Sequence, residues 1–286
     1  MRAVHAMMEG EKFENIDQVN AKLTRWNATG RIPEMANAWM EDDPKWRAQE
    51  LAYDALETGD LGEALRLINA ALKLDPDCTD ANRLMVSLLP TTLENKLELM
   101  RQVVEKAELG MGPDFMEANL GHFWGMISTR PYMRAKQHLG ELFTEAGDLE
   151  AAIAVFERML ELNPNDNQAM RHPLLGLYLA TNQADGARGV MSRYAGEENF
   201  LATVAWARVL ERWLAGEFDE AEAALLRARK VNPFAERYIS GERKVPQPPP
   251  EYFRPGEDSE AQICAAELAL AWQSHPAFRK WLRARR

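Results

Sequence analysis

EAGDLEAAIAVFERMLELNP, residues 145 to 164, has the punctuation of a helical hairpin. Gly147 stands where one helix must stop and reverse, because glycine takes the left-handed cap at little cost. Ala152 is small where the two helices of the hairpin approach closely, and Phe156, one turn later, fills the next gap. Pro164 ends the second helix, since proline cannot continue the hydrogen-bond ladder. The same scheme recurs in ETGDLGEALRLINAALKLDP (57 to 76) and LAGEFDEAEAALLRARKVNP (214 to 233). The corresponding residues there are Gly59, Ala64, Ile68 and Pro76, and Gly216, Ala221, Leu225 and Pro233.

Elsewhere β-branched residues are thin, alternation is absent, and Ala, Leu, Glu and Arg dominate with apolar residues three and four apart, which predicts an all-α chain. The recurring positions resemble the tetratricopeptide repeat (TPR) consensus. The best copy, residues 133 to 166, adds Leu139, Gly140 and Phe143, where that consensus expects Leu, Gly and a large aromatic. Pro164 and Pro233 are 69 residues apart, about two periods of 34, so a further repeat should lie between them; Leu175, Tyr178, Asn182, Ala187 and Met191 fit it. Pro76 and Pro164 are 88 apart, which leaves room for one divergent repeat at about 79 to 110 and an insertion near 111–132.

The predicted fold is therefore an α-solenoid of about five stacked TPR-like hairpins with helical N- and C-terminal caps, because a single hairpin cannot bury its own apolar face. Residues 1–43 are expected to form an N-terminal cap and loop, with a helix over about Ile16 to Asn27. Residues 44–233 form the solenoid. Residues 234–286 form a proline-rich crossing and capping helices, one of them over roughly Asp258 to Trp272. A single elongated domain follows from this layout.

The chain has 286 residues, 46% of them hydrophobic, enough to bury a substantial core. Its net charge of −10 argues against a general nucleic-acid binder, whose affinity rests on Lys and Arg neutralising phosphates. The last ten residues, AFRKWLRARR, hold five positive charges that suit the C-terminal end of a helix dipole. Two distant cysteines, Cys78 and Cys264, fit a reducing compartment. With no signal h-region and no long apolar run, the expected location is cytoplasmic and away from membranes.

The second half is similar to the suppressor-of-tumorigenicity family of TPR proteins and its bacterial relatives. The residues that carry the likeness are LNPNDNQ (162 to 168) and NPFAERYISGERKVPQPPPEYFRPGEDSEA (232 to 261), leading to Trp272; HFWGMISTRPYMRA (122 to 135) also looks similar to bacterial members. The resemblance implies a helical-repeat scaffold and brings no catalytic residues with it. The animal members resemble membrane-anchored proteins, whereas this sequence shows no transmembrane segment.

No HExxH, zinc-finger spacing, nucleophile elbow or phosphate loop is present, and no two of the five histidines stand three or four residues apart. An enzyme is not expected, and neither a cofactor nor a metal is implied. In proteins of the TPR resemblance the first helix of each repeat lines a concave groove. By that register the groove would show Gln49 and Tyr53, then Arg134, Gln137 and Glu141, then His172, then Trp206 and Trp213. His122 and Arg130, in the inserted segment, join Arg134 as candidates to hold an acidic group. The aromatics Phe123, Trp124 and Tyr132 are read as a plug between repeats. The expected function is a non-catalytic scaffold that binds a peptide or partner helix in the groove. A small-molecule or catalytic protein built on the HFWG to TRPY segment, and a self-assembling architectural protein, are the alternatives.

Overall fold

The computed structural model describes Thr24 and residues 43–285. The helix expected over about Ile16 to Asn27 and the N-terminal cap lie, but for Thr24 and Asp43, outside the described residues. All regular structure among these is helical, as the spacing of apolar residues predicts, and the fold is an all-α, TPR-like solenoid. The chain divides into two compact units, Met1–Leu139 and Gly140–Arg286.

The first unit opens on a hairpin of α1 (Pro44–Glu57) and α2 (Leu61–Leu74). Asp43 and Asp60 each cap a helix start, accepting from Lys45 N at 2.9 Å and from Glu63 N at 2.7 Å, which satisfies amides that no helical carbonyl can reach. Ala48, Ala52 and Ala55 line the inner face of α1 and meet Leu67, Ile68 and Ala71 of α2. Small side chains on one helix and larger ones on the other allow close approach without voids. The divergent repeat follows as α3 (Thr79–Leu88) and the long α4 (Leu93–Met111), with Thr92 capping the latter through Asn95 N.

After the short α5 (Pro113–Ala118), the inserted segment makes two 3-10 turns, Phe123–Gly125 and Ile127–Thr129, before α6 (Arg130–Ala146) begins. Phe123 is fully buried between Phe115, edge-on at 6.2 Å, and Tyr132, tilted at 5.9 Å. Thr129 donates to the carbonyls of Phe123 and Met126, and Arg130 Nε donates to the Trp124 carbonyl at 3.0 Å, so the segment is tied to itself. Tyr132 and Lys136 of α6 both donate to Glu108 Oε1 of α4, at 2.5 and 3.2 Å.

In the second unit α7 (Leu149–Leu162) buries Ala152, Ile153, Phe156, Met159, Leu160 and Leu162. Gly147 has φ +77°, the left-handed turn expected of it. Next come α8 (Arg171–Ala180) and α9 (Ala184–Arg193), the repeat inferred from proline spacing. Leu175, Tyr178, Ala187 and Met191 are all buried, and Asn182 takes the left-handed turn with φ +61° in place of glycine. The last hairpin is α10 (Ala202–Leu214) and α11 (Phe218–Val231).

Beyond it, α12 (Ala235–Ile239) leads to the proline-rich crossing. The single helix expected from Asp258 to Trp272 is two, α13 (Asp258–Glu267) and α14 (Ala269–Ser274), because Leu268 leaves helical geometry (φ −100°, ψ 18°). A final helix, α15 (Pro276–Arg283), buries Phe278 and Leu282, so the basic tail is packed on one face instead of lying wholly in solvent. Glu260 of α13 organises this end. Its buried carboxylate accepts from Ala202 N at 3.0 Å, Asn232 Nδ2 at 3.0 Å and Gly256 N at 2.7 Å, capping α10 from a distant part of the chain.

Candidate interaction surface

Three first helices of successive hairpins, α1, α3 and α6, meet around Asp80 in the first unit. The Asp80 side chain is fully buried. Gln49 Nε2 of α1 donates to its Oδ2 at 2.8 Å, Arg134 of α6 donates to both oxygens, with Nε to Oδ1 at 2.9 Å, and Arg83 Nε stands 3.4 Å from Oδ1. A buried carboxylate persists only where such donors replace water. The Tyr53 ring lies under the Arg134 guanidinium, 5.5 Å from its centroid. Burial alone would lower the Arg134 pKa, but the Asp80 carboxylate outweighs it and raises the guanidinium above its ordinary value.

Gln49, Tyr53 and Arg134, placed on one surface by repeat register, are thus brought together. Asp80, Arg83 and Ser87 of α3 were missed, because the divergent repeat lacks the glycine and alanine that set the register. Their spacing of three and four residues, a polar stripe on one helix face, was the available signal. On the opposite face of α3 a cleft of about 230 Å³ opens against α4, floored by Met85, Val86, Leu89, Leu99 and Val103. Lys106 and Asp77, paired at 2.5 Å, also line it.

The other candidates fare differently. His122 is exposed at the start of the first 3-10 turn. Arg130 does not present its charge freely: besides holding the Trp124 carbonyl, it lies over the Trp124 ring at 5.3 Å. Gln137 is half-buried, one turn after Arg134, and Glu141 is exposed.

In the second unit, His172 Nδ1 is 3.7 Å from Glu267 Oε1, while Thr203 Oγ1 donates to Glu267 Oε2 at 2.7 Å. Burial pushes the Glu267 carboxyl up, but the hydrogen bond and charge of His172 prevail and hold it below its ordinary value. Trp206, expected to face a groove, is fully buried in the core of α10 and presents nothing to a partner. Trp213 is half-buried, with its ring edge-to-face against Phe278 at 5.6 Å and Phe218 at 6.5 Å. Both corrections share a cause: α10 is covered on its exposed-looking side by α13 and α15, elements that repeat register does not contain. The buried carboxylate of Glu211, also on α10, is surrounded by Arg188, Arg208 and Arg212.

Among the described residues no helix is long and apolar enough to cross a membrane, and no group of three or more His, Cys, Asp or Glu side chains is placed to hold a metal ion. Cys78 and Cys264 are buried free thiols, and burial pushes the Cys78 thiol up to about 11.

With the hairpins and their shared surface in view, the class of protein is defined. Models of the tetratricopeptide repeat match residues 50–85 and 143–205, so those two stretches carry tetratricopeptide repeats, the helical repeats from which protein-interaction modules are generally built. Among solved structures, the chain is similar to one titled "Crystal structure of MamA protein", with 14% identity, a TM-score of 0.46, and coverage of 71% of this chain and 97% of that one. No curated protein matches the chain.

Proposed function

We propose that this protein is a non-catalytic scaffold that binds a peptide or a partner helix across the stripe formed by α1, α3 and α6. The observation that carries the reading is the set of bonds on Asp80. It fixes Gln49, Arg134 and, through the ring contact, Tyr53 before any partner arrives, so little side-chain entropy is lost on binding. Aromatic and arginine side chains also give the most energy per contact at protein interfaces. Tetratricopeptide-repeat proteins are typically non-catalytic scaffolds, which supports the same reading. The cytoplasmic location, the repeat region over 44–233 between two caps, and the likeness to the suppressor-of-tumorigenicity family are parts of this proposal.

Chemical cross-linking in the native host followed by affinity capture tests it. Tyr53→Ala and Gln137→Ala, which remove half-buried side chains from the stripe, should each reduce recovery of the captured partner several-fold while circular dichroism stays that of the parent chain. A partner recovered equally by the parent and by both variants together would place the binding surface elsewhere.

A further inference from the structure

Arg83 shares its carboxylate with other donors, and Lys96 is held by a neutral carbonyl. Arg83 is largely buried on α3, with 14% of its side chain exposed, yet its contact with Asp80 is long, 3.4 Å, because Arg134 and Gln49 already occupy that carboxylate. Lys96 stands in the first turns of α4, where the helix dipole already presents positive charge, and donates to the neutral Ser87 carbonyl at 3.1 Å. Ser87 Oγ lies 3.5 Å from His138 Nδ1 of α6 and donates to the Arg83 carbonyl at 3.1 Å. Arg83 and Ser87 of α3, Lys96 of α4 and His138 of α6 therefore lie together.

The charges that act on His138 are those of Arg83 on α3 and Lys96 on α4, both positive, and on its own helix Glu141, one turn on, is exposed. Burial, then the charges of Arg83 and Lys96, push the His138 imidazole down to about 4.

We propose that Arg83, Lys96, Ser87 and His138 form a seat for a carboxylate on an acidic segment of the bound partner. The incoming group would accept charge-assisted hydrogen bonds from Arg83 and Lys96. This inference rests on the scaffold reading and names the chemistry of its partner, but it can fail separately.

The test follows the His138 ring signals of the full chain by NMR, assigned with His138→Gln, while a hexaglutamate peptide or inorganic phosphate is added. Hexaglutamate should displace the signals and raise the midpoint of their titration above about 4. Lys96→Gln and Arg83→Gln should each weaken hexaglutamate binding at least about tenfold, and without ligand each should raise the midpoint by removing a like charge. Lys106→Gln, ten residues further along α4 and paired with Asp77, should change neither. Signals unmoved by hexaglutamate, or moved by phosphate alone, overturn the carboxylate seat. If a captured partner binds equally to the Lys96 and Arg83 variants, the scaffold stands and the seat falls. If hexaglutamate moves His138 but no partner is captured, the carboxylate chemistry of the site stands while the scaffold reading, and with it the partner as occupant, falls.

Discussion

Asp80 is the residue on which the first unit's polar surface depends, and removing it leaves the Arg134 guanidinium facing an empty pocket. Asp80→Ala should lower stability by about 3 kcal/mol in urea unfolding, and the double substitution with Arg134→Met should cost less than the sum of the single ones, because the orphaned charge is gone. His138 sets a pH dependence. Its imidazole is held to about 4 in the fold against 6.5 for a free histidine side chain, so the unfolded chain takes up the proton first. Stability should therefore rise with pH between about 4 and 6.5 and be lost as pH falls through that window. His138→Gln should flatten this part of a thermal-unfolding pH profile. Neither residue was legible as a site from sequence: Asp80 looks like an ordinary first-turn acid, and only the approach of α1 and α6 turns it into a shared acceptor.

At the scale of elements, the best hairpin holds one position, Gly140, where no side chain fits. A Cβ on Gly140 would come within 2.7 Å of the Phe156 ring. Gly140→Val should destabilise the chain by about 1–3 kcal/mol in denaturant unfolding, and Phe156→Leu in the same chain should recover part of that. Gly147 and Gly216 take the left-handed turn read from the sequence and Gly59 does not; the alanines of these hairpins are buried as read, because they act within one supersecondary unit. The caps were not. Glu260 holds Ala202, Asn232 and Gly256 together across long stretches of chain, and no local pattern marks it. Glu260→Ala should leave those buried donors unpaired, cost about 2–3 kcal/mol, and open the crossing at 241–257 to limited proteolysis.

At the scale of the molecule, repeats must be closed at their ends, and α15 closes the second unit. Phe278 stacks on Trp272 and Trp281, at 6.0 and 5.6 Å, and meets Trp213 edge-on. Ending the chain after His275 would remove Phe278 and Leu282, each fully buried and each contributing about 1.5–3 kcal/mol. The shortened chain should show red-shifted tryptophan emission and bind a hydrophobic dye, where the full chain does neither.

The amino-acid sequence by itself determined the helical class, the hairpin turns and the repeats hidden between them, because each depends on residues within one or two turns of one another. It also placed Gln49, Tyr53 and Arg134 on one surface by register alone. Tertiary structure decided what those residues do: Arg134 holds a buried carboxylate, Trp206 is core and not surface, and Arg83, Lys96 and His138 lie together. Such outcomes depend on which charges and apolar faces meet across distant helices, and burial is a property of neighbours that a linear pattern does not record.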